Sequence, residues 1–288
     1  MSVPHGTTAD QALREAVIRG CRELTRRGLT YGKSGNVSVR RDARYFFVSP
    51  TGMSYESLVP DDIPLVDMDG RWFGRRRPSS EWRFHRDILK ARGEIGAVVH
   101  THSPMATSLA CTGRGIPAFH YMVAAAGGAD IRCAPYHTFG SQELSAAAVE
   151  ALTGRLACLL ANHGVIALGT DLHGALSLAG EVEDLARKYC AALALGEIRI
   201  LDGLEMERVI DKFRTYGTQH AVDAGLEFGG GALPDPVAAD PAEPAVREPA
   251  VREPVVREPV VREPAVSDPA VPDPAASAPP RRRASPEG

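Results

Sequence analysis

Proline is concentrated in one part of this chain, and it limits what that part can fold into. Of the 22 prolines, 14 lie between Pro234 and Pro286, and from residue 245 onward the repeat AVREP or VVREP places proline at every fifth position. Proline at this density cannot continue a helix or a central strand, and this part of the chain has no aromatic side chain from which to build a core. We therefore expect residues 229–288 to form a disordered tail, either a passive solubilising appendage or a docking segment.

The remaining residues, 1–228, have the composition of one globular domain. They contain every aromatic residue and all five cysteines, and they carry 26 basic and 26 acidic residues, so the net charge of −3 belongs to the tail. A neutral body disfavours binding to a nucleic-acid backbone, and no apolar run approaches the roughly 18–20 residues that cross a bilayer. The lack of a secretory signal at the N-terminus and of any CxxC pair favours a reducing cytoplasm.

The body alternates between helical and extended patterns without a regular βαβ order. Apolar spacing and turn residues predict helices and strands as follows: helices at 8–27, 81–92, 104–111, 141–152, 171–195 and 203–216, and strands at 37–40, 45–49, 63–67, 71–73, 95–101, 131–134, 157–161 and 165–168. Such a mixture favours a mixed sheet covered by helices over a doubly wound parallel sheet.

Three histidines are candidates for a metal site. His100 and His102 lie two residues apart at the end of an apolar strand, where side chains at i and i+2 share one face. His163 follows another apolar run, at a break where strands turn over. Three neutral histidines around zinc leave a coordination position open for catalysis. The spacing alone leaves open whether His85 or His120 competes as a ligand.

Three polar turns have the chemistry of an anion site. They are Gly35-Asn36, Ser49-Pro50-Thr51-Gly52 and Ser79-Ser80. Small residues let backbone N–H groups approach an anion, and hydroxyl and amide groups donate to it. The last turn also precedes a predicted helix, whose N-terminus favours phosphate. Any one of these turns is more often an ordinary turn or cap.

The sequence resembles the class II aldolase/adducin family, and within it most strongly the branch of the L-fuculose-1-phosphate aldolases. The resemblance runs from about residue 10 to residue 217, excludes the tail, and rests on these segments: Gly35 to Arg40, Pro50-Thr51-Gly52, Pro78-Ser79-Ser80-Glu81-Trp82-Arg83-Phe84-His85, Val98 to His102, Ile116 to Met122, Ala124 to Gly128, Cys133 to Tyr136, His163-Gly164 and Lys212 to Gly217. It implies a catalytic domain over 1–228, with a three-layer αβα fold around a central, largely antiparallel mixed sheet.

The resemblance also implies roles for individual residues. It makes His100, His102 and His163 the zinc ligands, with manganese or cobalt as substitutes, and Glu81 the catalytic carboxylate that also ligates zinc in the resting site. The other implied roles are a phosphate site at Asn36, Thr51, Gly52, Ser79 and Ser80, an acid/base at Tyr121, and a substrate pocket that includes Phe139 and Tyr216. Lys33 departs from the small or hydroxyl residue usual at its position, and a cation there strengthens phosphate binding or closes the pocket differently. A homotetramer with active sites at subunit interfaces is implied as well.

The expected activity is therefore reversible cleavage of a ketose 1-phosphate, similar to L-fuculose 1-phosphate, into dihydroxyacetone phosphate and an aldehyde. Alternatives are the same cleavage of 5-deoxyribulose 1-phosphate or a 5-substituted form, a ribulose-phosphate 4-epimerase, and a dehydratase of methylthioribulose phosphate. A non-catalytic, adducin-like assembly protein belongs to a different class, and retention of Glu81 and the three histidines speaks against it.

Overall fold

The computed structural model describes residues 7–213, and these residues form one mixed α/β arrangement. The helices and strands of this range are α1 (Thr8–Arg26), β1 (Asn36–Arg40), β2 (Tyr45–Val48), β3 (Leu65–Asp67), β4 (Trp72–Phe73), α2 (Trp82–Ala91), β5 (Ala97–Thr101), α3 (Pro104–Ala110), β6 (Arg132–Ala134), α4 (Gln142–Ala151), β7 (Ala157–Leu160), β8 (Gly164–Gly169), α5 (Leu172–Leu195) and α6 (Gly203–Phe213). Short 3-10 turns lie at Tyr55–Ser57, Pro60–Asp62 and Tyr121–Ala126.

The eight described strands form a single sheet in the order β4-β3-β2-β1-β5-β8-β7-β6. Every neighbouring pair is antiparallel except β6 and β7, which are parallel. The sheet is therefore mixed and largely antiparallel, and the fold class expected from the sequence is confirmed.

Side chains alternate between the two faces of the sheet and build two separate apolar layers. On β5, Val99 belongs to the layer that includes residues of α1, α3 and α5. Its neighbour Val98 belongs to the other layer, with residues of α2 and α4. Successive strand residues point to opposite faces, so one short strand contributes to both cores. Helices consequently cover both faces of the sheet, which gives three layers.

The centre of the sheet brings together segments that are distant in the sequence. In register, Asn36 of β1 lies opposite His100 of β5, and His100 lies opposite Ile166 of β8. The turn between β7 and β8 carries His163, and Asn162 in that turn has a left-handed backbone with φ of 54°. The ends of β1 and β5 and the β7–β8 turn therefore meet at one edge of the sheet.

The close pairing of β8 with β5 requires glycine at position 164. A Cβ atom at Gly164 would lie 2.3 Å from the carbonyl oxygen of Thr101 and 2.9 Å from Cδ2 of His102. Both distances are too short for van der Waals contact, so any larger residue would push β8 away from β5. The glycine thus lets the β7–β8 turn approach the two histidines at the end of β5.

Several details differ from the sequence-based expectations. The Ser79-Ser80 turn does not cap α2, because Glu81 occupies the N-cap position and makes no side-chain capping bond. The 3-10 turn over Tyr121–Ala126 had no signal in the apolar spacing. The predicted tail, its boundary at residue 228, and Tyr216 lie outside the described residues. None of the helices in the described range is long and apolar enough to span a membrane.

Candidate metal centre and anion pocket

Four side chains converge at the edge of the sheet where β5 ends. His100 is the fourth residue of β5, and His102 follows directly after the strand, on the same face. His163 comes from the turn between β7 and β8, and Glu81 comes from the N-cap position of α2. One ligand atom from each of the four residues lies within 4.8 Å of the others.

The distances between these atoms are those of groups that share one central point. Nε2 of His100 lies 3.0 Å from Nε2 of His102 and 3.2 Å from Oε2 of Glu81. Nε2 of His163 lies 3.1 Å from Oε1 of Glu81. Three imidazole rings and one carboxylate therefore present nitrogen and oxygen atoms to the same small volume. Of these residues, His100 is fully buried.

The protonation pattern fits a bound cation. Nδ1 of His100 lies 2.9 Å from the carbonyl oxygen of Val165, which can only accept, so this nitrogen carries the proton and Nε2 presents a lone pair. Within the described residues, Oε1 of Glu81 is buried without a hydrogen-bond donor. Burial, followed by the proximity of the His100 and His163 rings, lowers the pKa of His102 to about 4, so His102 is neutral. Converging acceptors without donors suit a divalent metal.

The carboxylate of Glu81 is the charged member of the cluster. Burial raises the pKa of Glu81, but electrostatic and hydrogen-bond interactions with the neighbouring His100 and His163 rings outweigh burial and hold that pKa well below its usual range. A divalent cation at the same point acts on the carboxyl group in the same direction. Asn36 also stabilises the carboxylate, since its Nδ2 donates to Oε2 over 2.9 Å. Glu81 is therefore ionised in the resting site.

His85 and His120, the two other candidate ligands, lie outside the cluster. His85 is fully buried on α2 and hydrogen-bonds Ser38 and Asn36 rather than joining the cluster. His120 lies beside the 3-10 turn, where its Nδ1 accepts from the backbone N–H of Met122. The structure thus separates His100, His102 and His163 from the other two candidates, which the spacing alone left open.

A pocket of about 330 Å³ opens beside the cluster. Glu81, His102 and His163 of the cluster line this pocket. So do all five residues that the family resemblance assigns to phosphate binding, namely Asn36, Thr51, Gly52, Ser79 and Ser80. Two backbone hydrogen bonds hold the contributing loops together, from the N–H of Ser79 to Ser49 and from the N–H of Thr51 to Arg77. Polar turns from three parts of the sequence thus form one wall next to the metal cluster.

Lys33 supplies a positive charge to this pocket. Its Nζ donates to the carbonyl oxygen of Gly52 over 2.8 Å, which holds the exposed ammonium group at the pocket wall. An ammonium group has three N–H donors, so this bond leaves two for an anion. Phe139, the other described residue predicted for the substrate pocket, lines the same space and is 66% exposed.

Tyr121 does not reach this pocket in its own chain. It is 51% exposed, stacks on the ring of His120 with centroids 4.8 Å apart, and lines a separate depression with Phe119 and Leu201. Sequence reasoning missed other residues that do line the pocket, namely Ser34, Tyr136, His137 and Asn162. Ser34 and Asn162 adjoin motif residues, which was a usable signal, whereas no pattern distinguished His137.

The fold and the cluster together define a mixed α/β protein with a candidate metal site and an adjoining polar pocket. The family described as Class II Aldolase and Adducin N-terminal domain matches residues 15–190. The chain belongs to this family, which confirms the resemblance noted in its motifs. Class II aldolases depend on a metal, and the four-residue cluster is where this chain can hold one.

Individual relatives match nearly over their whole lengths. A protein of Rhodospirillum rubrum named 5-methylthioribulose-1-phosphate/5-deoxyribulose-1-phosphate aldolase is 54% identical over 206 residues, which cover 72% of this chain and 93% of the relative. The L-fuculose phosphate aldolase of Escherichia coli is 45% identical, over 71% of this chain and 95% of its own. A solved structure of an L-fuculose 1-phosphate aldolase superposes with a TM-score of 0.69 at 37% identity, covering 73% and 98% of the two chains.

We predict that metal binding requires the histidine cluster. His100→Ala removes a ligand whose orientation is fixed by Val165, so the purified protein should lose at least about 10-fold in metal affinity, as measured by competition with a chelator and by elemental analysis. His173→Ala, which alters an exposed histidine at the start of α5, is the matched control and should bind metal normally. Unchanged affinity in His100→Ala would place the metal elsewhere.

Proposed function

We propose that this chain is a metal-dependent class II aldolase that reversibly cleaves a ketose 1-phosphate into dihydroxyacetone phosphate and an aldehyde. One observation carries the proposal: the cluster of three histidines and Glu81 opens directly onto a pocket lined by the polar turns that the family resemblance assigns to phosphate binding. The two halves of this site match the two ends of the proposed substrate, a phosphate group and a neighbouring carbonyl. Zinc is the proposed metal, because three histidines and a carboxylate are typical zinc ligands.

The phosphate end is assigned to Asn36, Thr51, Gly52, Ser79 and Ser80, with Lys33 beside them. Hydroxyl, amide and backbone N–H groups donate hydrogen bonds to phosphate oxygens, and the N-terminus of α2 adds favourable dipole charge. Lys33 supplies a full positive charge that these neutral donors lack. Binding a dianion in a body of zero formal charge thus depends on local groups instead of the net charge of the protein.

Glu81 is assigned the role of transferring a proton to and from C3 of the substrate. Cleavage breaks the C3–C4 bond, and the electron pair of that bond remains on the C3 side. The C4 hydroxyl passes its proton to the acid/base group at the aldehyde oxygen as C4 becomes the aldehyde. Glu81, which is ionised at rest, takes up one proton from solvent, so that one proton leaves the substrate at the C4 hydroxyl and one enters at C3. Protonation of C3 by the carboxyl group of Glu81 then completes dihydroxyacetone phosphate, and in the reverse direction the carboxylate removes this proton. Oε1 is the suitable atom, because Oε2 already accepts the hydrogen bond from Asn36.

The metal ion, when bound, supplies a Lewis acid that stabilises the negative charge left on the C3 side. Tyr121 remains our candidate for proton transfer at the aldehyde oxygen. Since Tyr121 lies outside the pocket of its own chain, this role requires Tyr121 of a second copy, in line with the proposed homotetramer. The proposed tetramer, the role of Tyr216, the catalytic-domain boundary at residue 228 and the cytoplasmic location stay predictions.

The proposal is made for the class of ketose 1-phosphates, with L-fuculose 1-phosphate as the first candidate. Relatives of this chain carry names of both L-fuculose phosphate aldolases and 5-deoxyribulose-1-phosphate aldolases. These sugars share the phosphate, the carbonyl and the bond to be cleaved, and they differ in the aldehyde half. No observation on this chain favours the epimerase or the dehydratase.

The decisive test is triose release from a panel of sugar phosphates. The full chain, loaded with zinc, should release dihydroxyacetone phosphate from at least one of L-fuculose, L-ribulose and 5-deoxyribulose 1-phosphates in a coupled assay. Chelation should abolish the activity, and added zinc, manganese or cobalt should restore it. An epimerase would convert its substrate without releasing a triose, and inactivity on the whole panel would overturn the proposal.

Replacing Glu81 tests its assigned role. Glu81→Gln keeps the size of the side chain and removes the proton carrier, so kcat should fall by about 10²–10⁴-fold while the zinc content stays near one per chain. Glu143→Gln, an exposed glutamate in the first turn of α4, is the matched control and should leave kcat unchanged. A near-normal rate in Glu81→Gln would assign the proton to another group.

Replacing Lys33 tests the phosphate end separately from the chemistry. Lys33→Ser removes one charge-assisted hydrogen bond, so KM should rise by about 10-fold with kcat nearly unchanged, and inhibition by inorganic phosphate should weaken in parallel. Lys90→Ser, at an exposed lysine near the end of α2, should change neither value. If Lys33→Ser instead lowers kcat at constant KM, the ammonium group acts on the reaction rather than on phosphate binding.

A further inference from the structure

Two buried polar side chains next to the cluster have no part in the chemistry described above. Ser38 on β1 and His85 on α2 are both fully buried. Oγ of Ser38 lies 2.7 Å from Nδ1 of His85, and Nε2 of His85 lies 2.5 Å from Oδ1 of Asn36. Because Nδ2 of Asn36 donates to Glu81, four side chains form one continuous chain of hydrogen bonds that ends at the catalytic carboxylate.

The donor and acceptor of each of these hydrogen bonds follow from the bond between Asn36 and Glu81. Nδ2 of Asn36 donates to Oε2 of Glu81 over 2.9 Å, so the amide presents its NH₂ group to Glu81 and its oxygen to His85. That oxygen needs a donor, which places the proton of His85 on Nε2. Burial lowers the pKa of His85 to about 3, so the ring is neutral and carries one N–H. Nδ1 is therefore an acceptor, and the hydroxyl of Ser38 donates to it.

Burying the polar side chains of Ser38 and His85 in these surroundings has a free-energy cost, which calls for a reason in the site. The ring of His85 lies against Phe84, with centroids 4.7 Å apart, and Phe84 also contacts the ring of His100 at 5.4 Å. Burying a serine and a histidine among such groups requires that every polar atom be satisfied. An apolar pair would fill the same space without that requirement. Within the described residues, the side-chain hydrogen bonds of Ser38 and His85 lead only to Asn36, and through it to Glu81.

We propose that Ser38 and His85 are positioning residues for Glu81 and act through Asn36. By fixing the Nε2–H of His85 against Oδ1 of Asn36, they prevent the amide from turning its oxygen toward the carboxylate. Oε2 of Glu81 is thereby held, and Oε1 stays directed at the site where the proton is transferred. The inference rests on the proposed function for its kinetic consequence, whereas the position of the proton on His85 is independent of that function.

Kinetics of three variants and one control variant test the proposal. His85→Leu removes both hydrogen bonds of the ring, and kcat should fall by about 10–100-fold with KM nearly unchanged, as for residues that orient a catalytic group. His85→Gln keeps a donor near Nε2 and should recover most of kcat. Ser38→Ala should lower kcat less, because the ring then loses only its acceptor interaction. Ser145→Ala removes an equally buried hydroxyl, bonded to Asp87 away from the site, and should leave kcat unchanged.

A double-mutant cycle separates positioning from general loss of structure. If Ser38 and His85 act through Glu81, their substitutions should lower kcat by less than about 3-fold in a Glu81→Gln background. A loss of the same size in both backgrounds would overturn the proposal, as would a rise in KM at constant kcat. If His85→Leu does not fold, Ser38→Ala in the same two backgrounds decides the question.

The proton on His85 provides a readout that needs neither metal nor activity. Magic-angle-spinning ¹⁵N NMR of the metal-free full chain, labelled at histidine and assigned with His85→Gln, should show protonated Nε2 and unprotonated Nδ1. A proton on Nδ1 would overturn the inference. If the unmodified chain cleaves no ketose phosphate, the proposed function fails, and this measurement alone then decides whether His85 fixes the amide of Asn36.

Discussion

The pairing of β1, β5 and β8 at the centre of the sheet is the constraint on which the site depends. Backbone hydrogen bonds between these strands fix Asn36 beside His100 and bring the β7–β8 turn against the end of β5. The approach is close enough that only glycine fits at position 164. The residues of the cluster thus lie within β5 or directly beside the ends of β5, β8 and α2, and two apolar layers, one on each face of the sheet, hold those elements in place.

The same convergence makes the site unfavourable as a piece of protein core. Three imidazole nitrogens and a carboxylate meet where Glu81 and His100 are buried and His102 and His163 are half-buried, and one carboxylate oxygen has no donor among the described residues. Buried acceptors that face each other destabilise the fold unless a cation lies between them. Metal binding and the stability of this edge of the sheet are therefore linked, and metal removal is expected to loosen it.

Much of the site follows from local sequence rules. Alternation along β5 places His100 and His102 on one face, and a break between two apolar runs places His163 in a turn. The polar loops at Thr51 and Ser79 were likewise recognisable from their composition. What these rules cannot supply is the pairing of distant segments, because strand order is set by the apolar faces of the whole sheet and not by any one motif.

That limit explains which features were left open or missed. Tyr121 follows a histidine and belongs to a recognisable motif, yet its side chain lies outside the pocket of its own chain, since the Tyr121–Ala126 turn packs beside α6 instead. His85 was one of the two other histidines that the spacing left open as a ligand. Its true neighbours, Ser38 and Asn36, are on β1, and only the packing of α2 across that strand reveals them.

Asn36 shows how the two halves of the site are joined. Its amide oxygen faces His85, one amide N–H is bound to Glu81, and the residue also lines the anion pocket. In the proposed function, the second amide N–H donates to a phosphate oxygen while the first stays on the carboxylate. One rigidly held side chain at the start of β1 can therefore relate the position of the phosphate group to that of the proton carrier. Such coupling lets binding energy at a remote, unreactive group orient the reacting carbon, which is how phosphate binding can contribute to the rate as well as to affinity.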